Sequence, residues 1–254
     1  MILTRRTLGL GLAGLAATTI MPFRARAQGT SGDSYDTDGG KIIVSPVSHA
    51  SFVMTVPGMV IYNDPVGGGG AYESHAAPDL ILLTHEHGDH YDPETLAAIV
   101  GEQTKLITNP AVFGMLADDL KGKATAIGNG DSTEAGAIRI EAIAAYNTTE
   151  DRLKYHPKGR DNGYVISVDG RRVYIAGDTE DIPEMRALTG IDIAFVPMNL
   201  PFTMDVDQAS SAVAEFAPRF VYPYHYKGSD PQAFASKVAA SGKGIEVVQG
   251  PWYA

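Results

Sequence analysis

The sequence predicts an α/β protein in which two β-sheets pack together with helices on the outside. Three observations carry that expectation. Strand-like apolar runs recur in both halves of the chain and are followed in each half by helical patterns. In "YVISVDGRRVYIAGDT" two alternating runs are joined by Asp169-Gly170, a hairpin signal. The 254 residues, 44% apolar and 20% charged, have the composition of an ordinary folded chain with one sizeable core, which excludes disordered and collagen-like classes. Element order alone leaves other α/β layouts open.

Residues 1–27 are set apart. "TRRTLGLGLAGLAATTIMPF" has a charged start and an apolar stretch, and Ala25-Arg26-Ala27 is a small-residue cleavage site, so the segment reads as a signal peptide. Adjacent Arg5 and Arg6 followed by Leu8 resemble a twin-arginine signal. The apolar part is short for a span of about 20 residues. The expectation is therefore a periplasmic or secreted protein with no stable membrane span after cleavage. Cleavage removes four arginines and no acid, so the net charge falls from −10 to −14. Such a chain repels nucleic acid and anionic lipid, which leaves a small-molecule substrate as the expected partner. With no cysteine, any bound metal must be held by His, carboxylate and amide or backbone oxygen.

The polar, Gly- and Asp-rich segment 28–40 reads as a flexible lead-in, and 41–254 as one domain without internal repeats. "KIIVSPVSHASFVMTV", "MVIYNDPV" and "LILLTH" are strand runs divided by "PGM" and by the loop "GGGGAYESHAAP". A helix is expected over "DPETLAAIVG", with Asp92 as N-cap and Pro93 at its first position. A strand "KLIT", a helix "PAVFGMLADDL" and strands around "AIRIEAIAAY" follow. After the Asp169-Gly170 hairpin come a short helix "IPEMRALTG", a strand "IDIAFVPM", a helix "DQASSAVAEFA", a strand "RFVYPYHY" and a last helix and strand.

The chemistry concentrates in "THEHGDHYD", residues 84–92. This stretch holds three of the chain's seven histidines immediately after an apolar run. Neither strand nor helix could bring residues 85, 87, 89 and 90 to one place. A turn through Gly88 lets His85 and His87 point to one centre, and Asp89 and His90 to another. Imidazole and carboxylate without thiolate suit one or two divalent ions, Zn²⁺ foremost, with Mn²⁺ and Fe²⁺ as alternatives.

With "THEHGDH" after a strand, "NDP" at residues 63–65, "AGDT" at 176–179 and "YPYHY" around His225, the chain resembles the metallo-β-lactamase fold superfamily. "SHASFVM" and "NDP" look most like its ascorbate-6-phosphate lactonase-like and N-acyl phosphatidylethanolamine phospholipase D-like branch. The resemblance implies an αββα sandwich of two mixed β-sheets flanked by helices. It also implies His85 and His87 at one metal site, Asp89, His90 and His225 at the other, and Asp178 between them. Asp64 would orient a histidine ring from behind; His49, in "SHASF", either lines the pocket floor or simply bonds a backbone carbonyl. The third histidine usual at the first site is missing from its place, where Asn147 stands. Either Asn147 supplies an amide oxygen, or His156 reaches in from "HPKG", or a single metal suffices; His156 ranks first because its loop must fold over the site.

A water held by such metals loses its proton near neutral pH and attacks a carbonyl or phosphorus, with Asp89 orienting it and shuttling its proton. The expected enzyme is a metal-dependent hydrolase of an ester, lactone, amide or phosphodiester. The main alternative is a degenerate, non-catalytic binding member of the same fold. Iron-dependent oxygen reducers carry Glu where this chain has His87 and fit less well. His75 is expected at the surface, Asp92 as a cap, and Tyr222, Tyr224 and Tyr226 mainly in packing.

Overall fold

Burial along the strands decides the architecture. In "SFVMTV", Phe52 and Met54 face one apolar cluster while Val53 between them faces another; in "LILL", Leu80 and Leu82 face the first, and Ile81 and Leu83 the second. A strand covered on both faces needs apolar residues at every position, which is why the run does not alternate. The computed structural model describes residues 32–253. The expected signal peptide lies outside the described residues.

The first sheet has seven strands in sequence order: β1 (Asp33–Asp36), β2 (Lys41–Ser48), β3 (Ser51–Val56), β4 (Met59–Asn63), β5 (Leu80–Leu83), β6 (Lys105–Thr108) and β7 (Ala124–Ala126). The second also has seven: β8 (Ser132–Ala135), β9 (Ile138–Ala145), β10 (Asp161–Val168), β11 (Arg171–Ile175), β12 (Ile193–Pro197), β13 (Phe220–Tyr224) and β14 (Glu246–Val247). Each sheet begins as antiparallel hairpins and continues as parallel strands, from β4 onward in the first and from β11 onward in the second. Parallel neighbours need crossovers, and six helices belong to those crossovers: α1 (Pro93–Ile99), α2 (Pro110–Met115), α3 (Asp118–Lys121), α4 (Pro183–Arg186), α5 (Val206–Phe216) and α6 (Pro231–Ala240).

The central core lies between the sheets, where Phe52 of the first stacks on Phe195 of the second at 4.1 Å between ring centroids. Trp252, 1% exposed, closes this layer. Two outer clusters lie beneath α1–α3 and beneath α4–α6. The result is the αββα order expected. Helix starts follow from caps: Asp92 accepts from the Glu94 N–H, and Asp205 forms a capping box with Gln208. No helix among the described residues is long and apolar enough to cross a membrane.

Some elements differ from expectation. Within the lead-in, Asp33–Asp36 forms an edge strand on β2, because Tyr35 packs against Phe220 at 4.6 Å, a contact no local pattern announces. "PAVFGMLADDL" is two helices, since Leu116 is extended and Ala117 begins a new helix whose first turn carries Asp118 and Asp119, favourable at an N-terminus. Strands β7 and β8 were not anticipated; both are short and largely exposed, and neither carries a large apolar side chain.

Candidate metal centre

The site stands where parallel strands end. Asp64 follows β4, the loop 84–92 follows β5, Asp178 follows β11, Asn199 follows β12 and His225 follows β13. Carboxyl ends of parallel strands place successive loops side by side, so residues far apart in sequence meet there. The hairpin between β2 and β3 adds His49.

The loop after β5 turns sharply: the N–H groups of His90 and Tyr91 both donate to the carbonyl of His87, at 2.9 and 2.8 Å. His85 and His90 become fully buried, while Asp89 keeps a side chain 51% exposed. Three overlapping groups of donor atoms result, each within 4.8 Å: His85, His87 and His156; His49, Asp89, His90 and His225; and His85, His90 and Asp178. Asp178 lies among them, its carboxylate oxygens 3.3 Å from His225 Nε2, 3.4 Å from His90 Nε2, 3.5 Å from His156 Nε2 and 3.8 Å from His85 Nε2. Gly177 makes this approach feasible: its φ is 64°, and a Cβ there would lie 2.6 Å from the Asn162 carbonyl oxygen.

His156, not Asn147, stands with His85 and His87. The Asn147 side-chain amide donates instead to the carbonyls of Arg152 (3.2 Å) and Phe202 (2.8 Å). The loop carrying His156 is pinned by Glu180, whose carboxylate accepts from the N–H and hydroxyl groups of Thr148 and Thr149 at 2.6 to 2.8 Å and pairs with Arg152 at 2.7 Å.

Three of the buried rings are held from behind, whereas Nδ1 of the fourth, His225, has no hydrogen-bond partner. Asp64 lies 2.8 Å from His90 Nδ1 and accepts from the Thr84 N–H (2.8 Å) and hydroxyl (2.7 Å). The Thr84 oxygen lies 2.9 Å from His85 Nδ1, and Asp161 lies 2.9 Å from His156 Nδ1. With Nδ1 occupied, Nε2 of each of these three rings is turned to the centre. His49 behaves differently: Nε2 reaches Asp89 at 3.1 Å, Nδ1 meets the Tyr253 hydroxyl at 2.7 Å, and the ring packs on His225 at 3.9 Å. His49, Asp64 and His225 share a left-handed backbone, with φ of 48°, 41° and 46°.

Thr84, Asp161 and Tyr253 were missed from sequence. Asp161 follows His156 by five residues, a spacing with no meaning until β10 begins there; Thr84 reads as an ordinary strand end. Asp92 caps α1, and Tyr222 and Tyr224 are buried in packing, as expected; His75, expected at the surface, is half-buried and lies outside the cleft lining.

Burial pushes His85 well below the usual imidazole range, and the charge of neighbouring His90 adds to it. His87 and His49 are also lowered, chiefly by burial. His90 goes the other way: burial opposes protonation, but the Asp178 and Asp64 carboxylates outweigh it and raise the ring well above its ordinary value. Asp178 is held well below the carboxylate range because the charges of His225 and His90 overcome its burial. So many imidazoles cannot all be charged together, and most must present lone pairs.

A divalent cation fits this set. Nε2 of His85, His90 and His225 and Oδ1 of Asp178 are buried without a hydrogen-bond partner, an expense a packed core avoids unless a ligand satisfies them. The open cleft above them, about 320 Å³, is lined by His87, Asp89, Tyr155, His156, Asp178, Asn199, Phe202 and His225.

Residues 44–225 match the sequence profile of the β-lactamase superfamily domain. A UPF0173 metal-dependent hydrolase of Pyrococcus abyssi is 34% identical over 182 residues, covering 68% of this chain and 79% of its own. A solved structure from Parabacteroides distasonis, assigned as a metal-dependent hydrolase, is 42% identical with a TM-score of 0.79, covering 86% of this chain and 97% of its own. A metallo hydrolase from Ignicoccus hospitalis is 25% identical with a TM-score of 0.68, covering 82% and 94%. With this match over most of the domain, the shared two-sheet architecture and a buried donor cluster suited to a cation, the chain belongs to the β-lactamase superfamily domain family of the metallo-β-lactamase fold and is a metal-dependent hydrolase.

Proposed function

We propose that His85, His87 and His156 hold one divalent cation, that Asp89, His90 and His225 hold a second, and that Asp178 serves both. Zn²⁺ suits this imidazole-rich, thiolate-free set best, with Mn²⁺ and Fe²⁺ as alternatives. The observation that carries the reading is the convergence of buried, unpartnered Nε2 atoms on the Asp178 carboxylate. Cations held there would supply Lewis acidity, lowering the pKa of water toward neutrality and polarising the scissile bond.

The chain's own groups do the rest. Asp64, Thr84 and Asp161 fix ring orientation, so the donors need not reorganise when a substrate arrives. Asp89, half-exposed at the mouth and steadied by His49, is the carboxylate nearest incoming substrate and is placed to orient the attacking water and carry its proton to the leaving group. The reaction is hydrolysis of an ester, lactone, amide or phosphodiester of a small molecule. The N-terminal pattern further supports export to the periplasm or beyond.

Elemental analysis of gently purified protein, together with turnover of a hydrolase substrate panel, tests this. One to two metals per chain and chelator-sensitive turnover are expected. Well under one metal per chain would sink the reading, and full metal content without turnover of any substrate would favour the degenerate binding protein.

A further inference from the structure

Five large apolar side chains are markedly exposed among the described residues: Met115, Leu153, Leu200, Phe202 and Tyr253, at 40 to 53%. Four of them lie on segments that build the centre. Leu153 shares the loop of His156, Leu200 and Phe202 follow Asn199, and Tyr253 bonds His49. Tyr155 and Phe202 line the cleft together as an edge-to-face pair, with centroids 4.9 Å apart.

These side chains are not exposed because their loops are loose. The Asn147 amide ties one loop to the other through the Phe202 carbonyl at 2.8 Å, and Arg152 does so through the Thr203 carbonyl at 3.2 Å. Within the second loop, the Phe202 and Thr203 N–H groups both return to the Asn199 carbonyl, at 2.9 and 2.8 Å. An apolar wall is therefore held in place beside the donor cluster, where exposed apolar surface marks a binding face. No lysine or arginine is among the residues lining the cleft, so a substrate's own negative charge would meet no side-chain cation there, only the bound metals, whose charge the Asp89 and Asp178 carboxylates already offset in part.

We infer that the substrate is a small neutral carboxylic ester or lactone whose acyl part is apolar and lies along Tyr155 and Phe202. This rests on the hydrolase reading above and narrows it, setting the phosphodiester aside. The cleft volume of about 320 Å³ is at the low end of small-molecule sites, which run from about 300 Å³ upward, and suits an acyl group of modest size.

Burying a methylene on all sides is worth roughly fourfold in binding, and against a single wall roughly twofold. Four added methylenes then predict roughly fifteenfold. The experiment compares p-nitrophenyl acetate, p-nitrophenyl hexanoate and bis-p-nitrophenyl phosphate on the metal-loaded protein. Binding of 2-heptanone and acetone, which are not hydrolysed, is measured in parallel by saturation-transfer NMR. Hexanoate should exceed acetate about fifteenfold in kcat/KM, both should exceed the phosphodiester, and 2-heptanone should bind where acetone does not. In Phe202→Ala the hexanoate-to-acetate ratio should fall several-fold and the 2-heptanone signal should weaken; Tyr155→Ala provides a second variant if Phe202→Ala does not fold. Equal rates on the two esters with no ketone signal overturn the inference, as does preferred hydrolysis of the phosphodiester. A dimer that Leu200→Ser dissociates without changing the ester ratio overturns it too, since the wall would then be an interface. Ketone binding that depends on Phe202, with no turnover of any ester, supports the wall and removes only the hydrolase reading beneath it.

Discussion

Asp64→Asn isolates what the buried carboxylate behind the centre contributes. Asp64 is fully buried, its φ is 41°, and it serves the Thr84 N–H, the Thr84 hydroxyl and His90 Nδ1 at 2.7 to 2.8 Å. Asparagine tolerates this backbone and keeps the shape. The change thus amounts to one oxygen replaced by an amide N–H, which must face a donor at one of the three contacts. Losing a charge-assisted hydrogen bond costs about 1.5–3 kcal/mol, and at roughly 2–4 °C per kcal/mol the metal-free melting temperature should fall by roughly 3–12 °C. The His90 ring also loses its holder, so affinity at the Asp89, His90 and His225 group should drop about 10- to 100-fold, or about 1.4–2.7 kcal/mol. Asp161→Asn is the matched control, because Asp161 stands behind His156 in the other group. Zinc titration against a chromophoric chelator resolves the two affinities, and calorimetry of the chelated protein gives the melting shift. Two affinities within twofold of wild type, or identical patterns from Asp64→Asn and Asp161→Asn, would refute the idea that each carboxylate orients its own ring.

Three further outcomes follow from the same geometry. His156→Ala should remove one metal equivalent and most turnover, whereas Asn147→Ala should keep its metal and lose about 2 kcal/mol of stability through two missing hydrogen bonds, read by elemental analysis and urea denaturation; the reverse ranking would return Asn147 to the ligand set. Burial works against the Glu180 charge, but hydrogen bonds from Thr149 and Thr148 hold its pKa below 4.5, so its contribution is present above about pH 4.5 and is lost as pH falls through the lower folded value. The stability gap between wild type and Glu180→Gln should accordingly be constant near neutrality and close in acid; a gap that widens below pH 4 contradicts this sign. Changing Arg5 and Arg6 together to lysine should leave precursor in the cytoplasm, and unchanged periplasmic levels on fractionation would remove the twin-arginine assignment.

Much of this molecule was legible from local chemistry. "LILL" and "SFVMTV" read as strands because unbroken apolar runs need cover on both faces, and Asp92-Pro93 declared a helix start through capping that depends on neighbours alone. The dense loop 84–92 announced itself because imidazoles at that spacing have no use in packing. Partners brought in by tertiary contact were not legible. Nothing local distinguishes Thr84 or Asp161 from other strand-end residues; their meaning arises only when β4 lies beside β5 and when β10 starts under the His156 loop. Tyr35 reads as part of a polar leader until Phe220, far along the chain, gives it a surface. The break at Leu116 likewise reflects two short helices settling separately on the sheet, against a pattern that one helix would also satisfy.

The left-handed backbone at His49, Asp64 and His225 bears on how this protein could be engineered. A non-glycine residue in that region gives up about 1–2 kcal/mol relative to its relaxed conformation, a cost glycine avoids. At Asp64 and His225, buried contacts weigh against replacement. At His49, whose side chain is 19% exposed, the bonds to Asp89 and Tyr253 and the contact with the His225 ring weigh less, because water can reach the groups they would leave. A directed-evolution campaign scored on heat resistance alone would therefore be drawn toward glycine at residue 49 and would collect hardier proteins whose Asp89 had lost its support. Libraries aimed at a robust catalyst from this scaffold should hold these three positions fixed and look for gains in the exposed strands β7 and β8, far in chemistry from the cleft.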